Sequence, residues 1–118
     1  MSRRLILRNG VVALPSGPSR ADVLCQDGRI VAIGNSLNAG DAESVNAAGL
    51  TIGPGFVDVH VHGGGGHSFF THDAQRIWDY AAWAPRNGVT SFLVSTVGQD
   101  ADDTVAIFGA LRPTVNGS

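Results

Sequence analysis

Pro54-Gly55-Phe56-Val57-Asp58-Val59-His60-Val61-His62, followed by Gly63, Gly64, Gly65 and Gly66, is the stretch whose reading decides the fold. It reads as a buried strand that ends in a loop of unusual backbone freedom. Side chains alternate along a strand, which predicts Val57, Val59 and Val61 on one face and Asp58, His60 and His62 on the other. At about 3.3 Å of rise per residue the two imidazoles stand roughly 6.6 Å apart along the strand, close enough to lean onto one metal ion. The bland alternative is a pair of satisfied core histidines. Ring nitrogens need partners, and two on one face double that demand, so metal ligation is the favoured reading. Asp58, two residues deeper, reads as a supporting carboxylate rather than a ligand.

The 118 residues suffice for one ordinary domain, and the apolar content and modest charge are those of a globular chain. A net charge of −2, with no basic run interleaved with aromatics, argues against nucleic-acid binding. Arg3-Arg4-Leu5-Ile6-Leu7 is too short an apolar run for a signal peptide, so a cytoplasmic protein with no membrane association is expected. Cys25 is the single cysteine, which excludes an intrachain disulfide; it reads as small core filler. The Asn116-Gly117-Ser118 triplet fits a glycosylation sequon by pattern alone.

From Leu5 to Ile52 short β-type runs alternate with turn residues: Leu5 to Arg8, Val11 to Leu14, Ala21 to Gln26, Arg29 to Ile33, and a weaker run ending in Leu50-Thr51-Ile52. Asp27-Gly28 and Asn9-Gly10 are hairpin signals, while Pro15 to Ser19 and Asn35 to Ala42 read as loops. A small antiparallel sheet or sandwich follows from this pattern. After Gly53 the grammar changes to strand, helix, strand, helix. The helix after the glycine loop begins near Asp73, capped by Thr71 or Asp73, carries Ile77, Tyr80, Ala81 and Ala84 on one face, and ends near Pro85 and Gly88. Val89 to Thr96 reads as a central strand, with Phe92 and Val94 on one face and Leu93 on the other, both covered. A second helix over about Ala101 to Leu111 is opened by Asp100, Asp102 and Asp103. Such alternation implies parallel strands.

With these residues in place, the chain resembles the amidohydrolase superfamily of metal-dependent barrel hydrolases. The continuation through Gly63-Gly64-Gly65-Gly66-His67-Ser68-Phe69 and Gly88-Val89-Thr90-Ser91-Phe92-Leu93-Val94-Ser95-Thr96 is similar to the N-acetylglucosamine-6-phosphate deacetylase family within it. The resemblance implies an α/β chain in which residues 1–53 are the N-terminal part of a small β-sandwich domain and 54–118 are the first two β/α units of a TIM-type (β/α)8 barrel. A closed barrel takes about 250 residues, so the barrel is incomplete and the chain reads as the N-terminal piece of a longer parent.

The resemblance further implies that His60 and His62 are metal ligands at the end of the first barrel strand. The remaining ligands and the catalytic carboxylate come from later strands, so no catalytic residue lies in this chain and it is inactive alone. Zinc suits such ligands best, with iron, cobalt or manganese also suited. The implied reaction is hydrolysis of the acetamide of an amino-sugar phosphate, and a homo-oligomeric parent is expected. Gly63 to Gly66 and His67 form a substrate-side loop on this reading, although four glycines also simply make a turn. His67 and His72 read equally as substrate contacts or exposed loop residues, and Trp78 and Trp83 as packing. Two rivals remain open: another superfamily member, such as a cyclic amidohydrolase or an N-acetylgalactosamine-6-phosphate deacetylase, and a non-enzymatic module.

Overall fold

The computed structural model describes residues 3–114, and the chain divides between Pro54 and Gly55 into two compact units. In the first, β1 (Arg4–Leu14), β2 (Gly17–Gln26), β3 (Arg29–Gly34) and β4 (Glu43–Asn46) lie in the order β3-β2-β1-β4, and β5 (Thr51–Ile52) also pairs with β1. Asp27 and Gly28, at φ 51° and 77°, make the expected tight turn between β2 and β3.

Asn9-Gly10 does something else. β1 runs straight through it, the register against β2 slips between Leu7 and Gly10, and Asn9 takes φ 64°. The predicted hairpin is therefore a bulge, because a residue that tolerates positive φ serves either purpose. The Asn9 N–H donates to Asp22 Oδ1 at 3.1 Å, and Arg8 Nη1 donates to Asp22 Oδ2 at 2.9 Å. These two bonds account for a carboxylate that is otherwise buried. The extra residue also resets the side-chain phase, so that Leu7 and Val12, five apart, join one cluster with Ala21 and Val23. Cys25 packs there too, as expected. Ile6 and Leu24 centre a second cluster with Ala39.

Two further expectations are corrected. The Pro15–Ser19 loop shrinks to a turn at Pro15 and Ser16, with Pro18 inside β2 opposite Ala13. Proline is tolerated there because β3 pairs with β2 only from Asp22 onward, leaving that side of Pro18 without a ladder. The sheet is also mixed rather than antiparallel: β4 and β5 both run parallel to β1. Glu43-Ser44-Val45-Asn46 is exposed throughout and has no apolar alternation by which its sequence would read as a strand.

The second unit contains β6 (Phe56–Val61), a two-residue ribbon of β7 (Gly63–Gly64) and β8 (His67–Ser68), α1 (Gln75–Trp83), β9 (Val89–Val94) and α2 (Ala101–Leu111), with short 3-10 turns at Ala84–Asn87 and Arg112–Thr114. Thr71 Oγ1 accepts the Asp73 N–H and Asp73 Oδ1 accepts that of Gln75, so both residues tie down the turn that leads into α1, while the N-cap itself is Ala74, which offers no side-chain acceptor. Pro85 sits in the 3-10 turn, and Gly88 at φ 81° makes the exit. Asp100 caps α2 by accepting the Asp103 N–H at 2.8 Å. β6 and β9 are adjacent and parallel, as the strand–helix alternation predicts. The Asn116-Gly117-Ser118 triplet lies outside the described residues. No helix among the described residues is long and apolar enough to cross a membrane.

The core of this unit joins Val61, Phe69, Ile77, Tyr80, Ala84, Ile107 and Leu111, with Phe92 and Val94 packed against it. The strict alternation expected of β6 fails. Its register slips between Asp58, opposite Phe92, and Val61, opposite Val94, so Asp58 and Val61 share the helix-facing side while Val57 and Val59 are 64% and 68% exposed. Nor is the strand buried as a whole, because it has one neighbour and a single covered face. For the same reason Leu93 is exposed, and β9 is not covered on both sides.

Phe69 is wholly buried and sets its ring edge-on against Tyr80 at 5.0 Å. Phe69→Ala should cost about 3–5 kcal/mol of this unit's stability. Val105→Ala, on an exposed helix position, should change it by less than about 0.5 kcal/mol. Both tryptophans, Trp78 and Trp83, lie in α1, so denaturant unfolding followed by their fluorescence reads this unit alone. Equal effects of the two substitutions would show that the core is not centred on Phe69.

Candidate metal centre

His60 and His62 come together at the C-terminal end of β6, with Nε2 atoms 3.1 Å apart and rings edge-on. The hydrogen bonds around them define their chemistry. His62 Nδ1 lies 2.8 Å from the Ser95 carbonyl oxygen, which can only accept, so Nδ1 carries a proton and, in the neutral ring, Nε2 is left with its lone pair. Ser95 is itself fixed by donating its N–H to the Val61 oxygen at 2.9 Å. The parallel pairing of β6 with β9 thus carries past the strand ends to orient a histidine. Asp58 Oδ1 accepts the backbone N–H of His60 at 3.1 Å, which steadies the bulge beneath the pair.

A divalent ion fits this pair. Two nitrogens each about 2.0–2.1 Å from one ion lie roughly 2.9–3.4 Å apart for angles between a right angle and the tetrahedral value. The separation of 3.1 Å falls inside that span, and an imidazole whose Nδ1–H is held by a carbonyl is the usual arrangement behind a metal-bound Nε2. Among the described residues no group of three or more His, Cys, Asp or Glu side chains is gathered to hold an ion.

His67 and His72 are drawn elsewhere. His67 pairs with Gly64 through the backbone, and its Nδ1, 3.9 Å from Asp79 Oδ2, is buried without a hydrogen bond. His72 Nε2 meets Asp103 Oδ1 at 3.0 Å, at the start of α2. The glycine run turns back on itself at Gly65 and Gly66, both at positive φ, and packs against α1. A Cβ on Gly65 would stand 2.5 Å from the Trp83 ring, and one on Gly63, at φ 125°, would meet the His67 carbonyl oxygen. The close approach that glycine permits is made here to Trp83. Trp83 is a packing residue, as expected; Trp78 is about half exposed.

Two contributors to the site carry no signal in the sequence. Ser95 acts through its backbone carbonyl, which every residue has. Phe70 lies against His62, ring centroids 5.1 Å apart and planes within 19°, and only the pair Phe69-Phe70 after the glycines hints at it.

A search against models of protein families finds no match. The chain is 35% identical over 103 residues to an allantoinase from Enterococcus faecalis, a match covering 84% of this chain and 21% of that enzyme. Among solved structures it superposes on N-acetylglucosamine-6-phosphate deacetylase from Pasteurella multocida with a TM-score of 0.84 at 15% identity, covering 98% of this chain and 31% of the other. The Mycobacterium smegmatis deacetylase in complex with N-acetyl-D-glucosamine-6-phosphate gives 0.82 at 26% identity, covering 98% and 30%. The chain therefore spans about a fifth to a third of the length of these proteins. Fold and matches define the class: the chain carries the N-terminal part of the amidohydrolase-superfamily fold, with the barrel unclosed. Within that class it resembles the N-acetylglucosamine-6-phosphate deacetylases over nearly its whole length.

Tyr80 reports the electrostatics beneath the site. Burial raises its phenol above the ordinary value of 10.0, and the Asp58 carboxylate raises it further. It is the only tyrosine, so absorbance of tyrosinate on alkaline titration reads this group alone. Asp58→Asn should lower the midpoint yet leave it above 10.0, since burial is the larger cause. The folded state keeps the proton to higher pH than the unfolded chain does, so stability should fall as pH rises from 10.0 toward the folded value. A wild-type midpoint at or below 10.0 contradicts this environment.

Proposed function

We propose that this chain is the N-terminal piece of a cytoplasmic, homo-oligomeric, metal-dependent hydrolase that removes the acetyl group of N-acetylglucosamine 6-phosphate, giving glucosamine 6-phosphate and acetate. The observation that carries the reading is the convergence of His60 and His62, with His62 held by Ser95, at the end of a strand in a fold shared over 98% of the chain with two such deacetylases.

On this reading His60 and His62 hold one divalent ion, zinc foremost, with iron, cobalt or manganese also suited to imidazole. The ion would supply Lewis-acid polarisation of the acetamide carbonyl and a lowered pKa for water. The chain's own residues do the holding. The Ser95 carbonyl keeps the His62 proton on Nδ1, and the bond from the His60 N–H to Asp58 sets the strand beneath. His60 must carry its own proton on Nδ1 for both Nε2 atoms to face the ion. The other ligands and the proton-shuttling carboxylate lie outside these residues, and two imidazoles alone leave an ion largely hydrated. Gly63 to Gly66 and His67 follow the pair directly in the chain and are its substrate-side loop on this reading, through backbone alone, since the run packs against Trp83 and His67 turns toward Asp79.

A second reading has support of its own. The 35% identity to an allantoinase favours hydrolysis of a cyclic amide by the same ligand pair.

In the full-length protein, His60→Ala and His62→Ala should each lower metal content and turnover together, by at least about 10–100-fold in metal affinity. Acetate release from N-acetylglucosamine 6-phosphate, run beside ring opening of allantoin, separates the two readings. Normal metal content and turnover in both variants would remove the ligand assignment. The 118-residue chain alone should release no acetate at enzymatic rates with any of the four metals.

A further inference from the structure

We propose that Phe70 is a positioning residue for His62: its ring fixes the plane of the imidazole, so that His62 Nε2 stays beside His60 Nε2. The consequence for an ion rests on the metal reading above; the geometry does not.

The bond from His62 Nδ1 to the Ser95 carbonyl sets the tautomer, and the other ring nitrogen meets only His60 Nε2, 3.1 Å away on a ring with no second side-chain hydrogen bond of its own. Rotation of an imidazole about its last side-chain torsion is soft, so one bond to a fixed carbonyl and one to a second movable ring still let it rock and carry Nε2 out of line. A flat group against the ring face removes that freedom. Phe70 is the group, lying nearly parallel to the imidazole, while the His60 ring meets it edge-on with centroids 4.8 Å apart.

The chain invests several contacts in placing Phe70 there. Phe69, wholly buried against Tyr80 and Phe92, anchors the segment. Its N–H donates to the His62 carbonyl oxygen at 2.9 Å, so the loop after the glycines returns to the residue that Phe70 covers. Its own carbonyl accepts the Thr96 hydroxyl at 2.6 Å, and the Phe70 N–H donates to Ser68 Oγ at 3.3 Å. Phe70 itself is 52% exposed and lies outside the core cluster, so its ring serves the imidazole rather than the interior.

The test compares Phe70→Ala with the conservative Phe70→Tyr. In the metal-free, 15N-labelled protein, long-range nitrogen–proton correlations should show His62 with a protonated Nδ1 and a bare Nε2. In Phe70→Ala the two nitrogen shifts should move toward each other as the ring loosens from the Ser95 carbonyl, and in Phe70→Tyr they should return. Affinity for cobalt or zinc, measured by competition with a chelator, should fall about 10–100-fold in Phe70→Ala and recover in Phe70→Tyr, with unchanged unfolding by tryptophan fluorescence. An unchanged His62 spectrum in Phe70→Ala overturns the inference, as does a loss of affinity that tracks a loss of stability. If wild type binds neither metal while the spectrum still responds to Phe70→Ala, the metal reading fails and the positioning role stands.

Discussion

The second unit depends on the parallel pairing of β6 with β9 and on its extension by one bond beyond the strand ends. Ser95 donates its N–H to Val61 and presents its carbonyl to His62, so the backbone that closes the ladder also orients an imidazole. The loop after the glycines then returns to the same residue through the Phe69 N–H. His62 is held from two sides, its ring by the residue that follows β9 and its backbone by the residue that follows β8. Shifting β9 by one residue would remove the Ser95 carbonyl from His62 and bring Phe92 and Val94 away from the core in the same step.

Bulges do comparable work in both units. In β1 the extra residue at Arg8-Asn9 lets Leu7 and Val12 face one cluster, and the buried Asp22 carboxylate satisfies the groups the bulge displaces. In β6 the slip between Asp58 and Val61 sends Asp58 toward the helix side, where its charge acts on the Tyr80 phenol. A regular strand would have left Asp58 on the side of the histidines, beside any ion they hold. The bulge separates a carboxylate that supports the backbone from imidazoles free to bind.

The glycine run shows how one composition serves two purposes. A loop of four glycines invites a reading as close approach to a substrate, and close approach is what it makes, but to the indole of Trp83. That packing holds the ribbon against α1 and delivers Phe69 to the core. The loop is thereby given a defined course instead of the freedom its composition suggests, and its far end reaches His62 through Phe70.

Local pattern was enough for whatever depends on neighbours in sequence. The helices over Gln75–Trp83 and Ala101–Leu111, the Asp100 cap, the Asp27-Gly28 turn and the parallel strands all follow from periodicity and capping chemistry. The candidate ligands His60 and His62 were legible as well, because two imidazoles beside a glycine loop have few structural uses. Tertiary structure decided the rest. Asn9-Gly10 has the same local preference in a turn and in a bulge, and only the partner strand selects between them. The exposed β4 has no pattern until β1 supplies its hydrogen bonds. Asp58 changed faces because phase along a strand is set by register with a neighbour, which lies 34 residues away at Phe92. The Ser95 carbonyl, identical in kind to every other in the chain, acquires a role only from where the fold puts it.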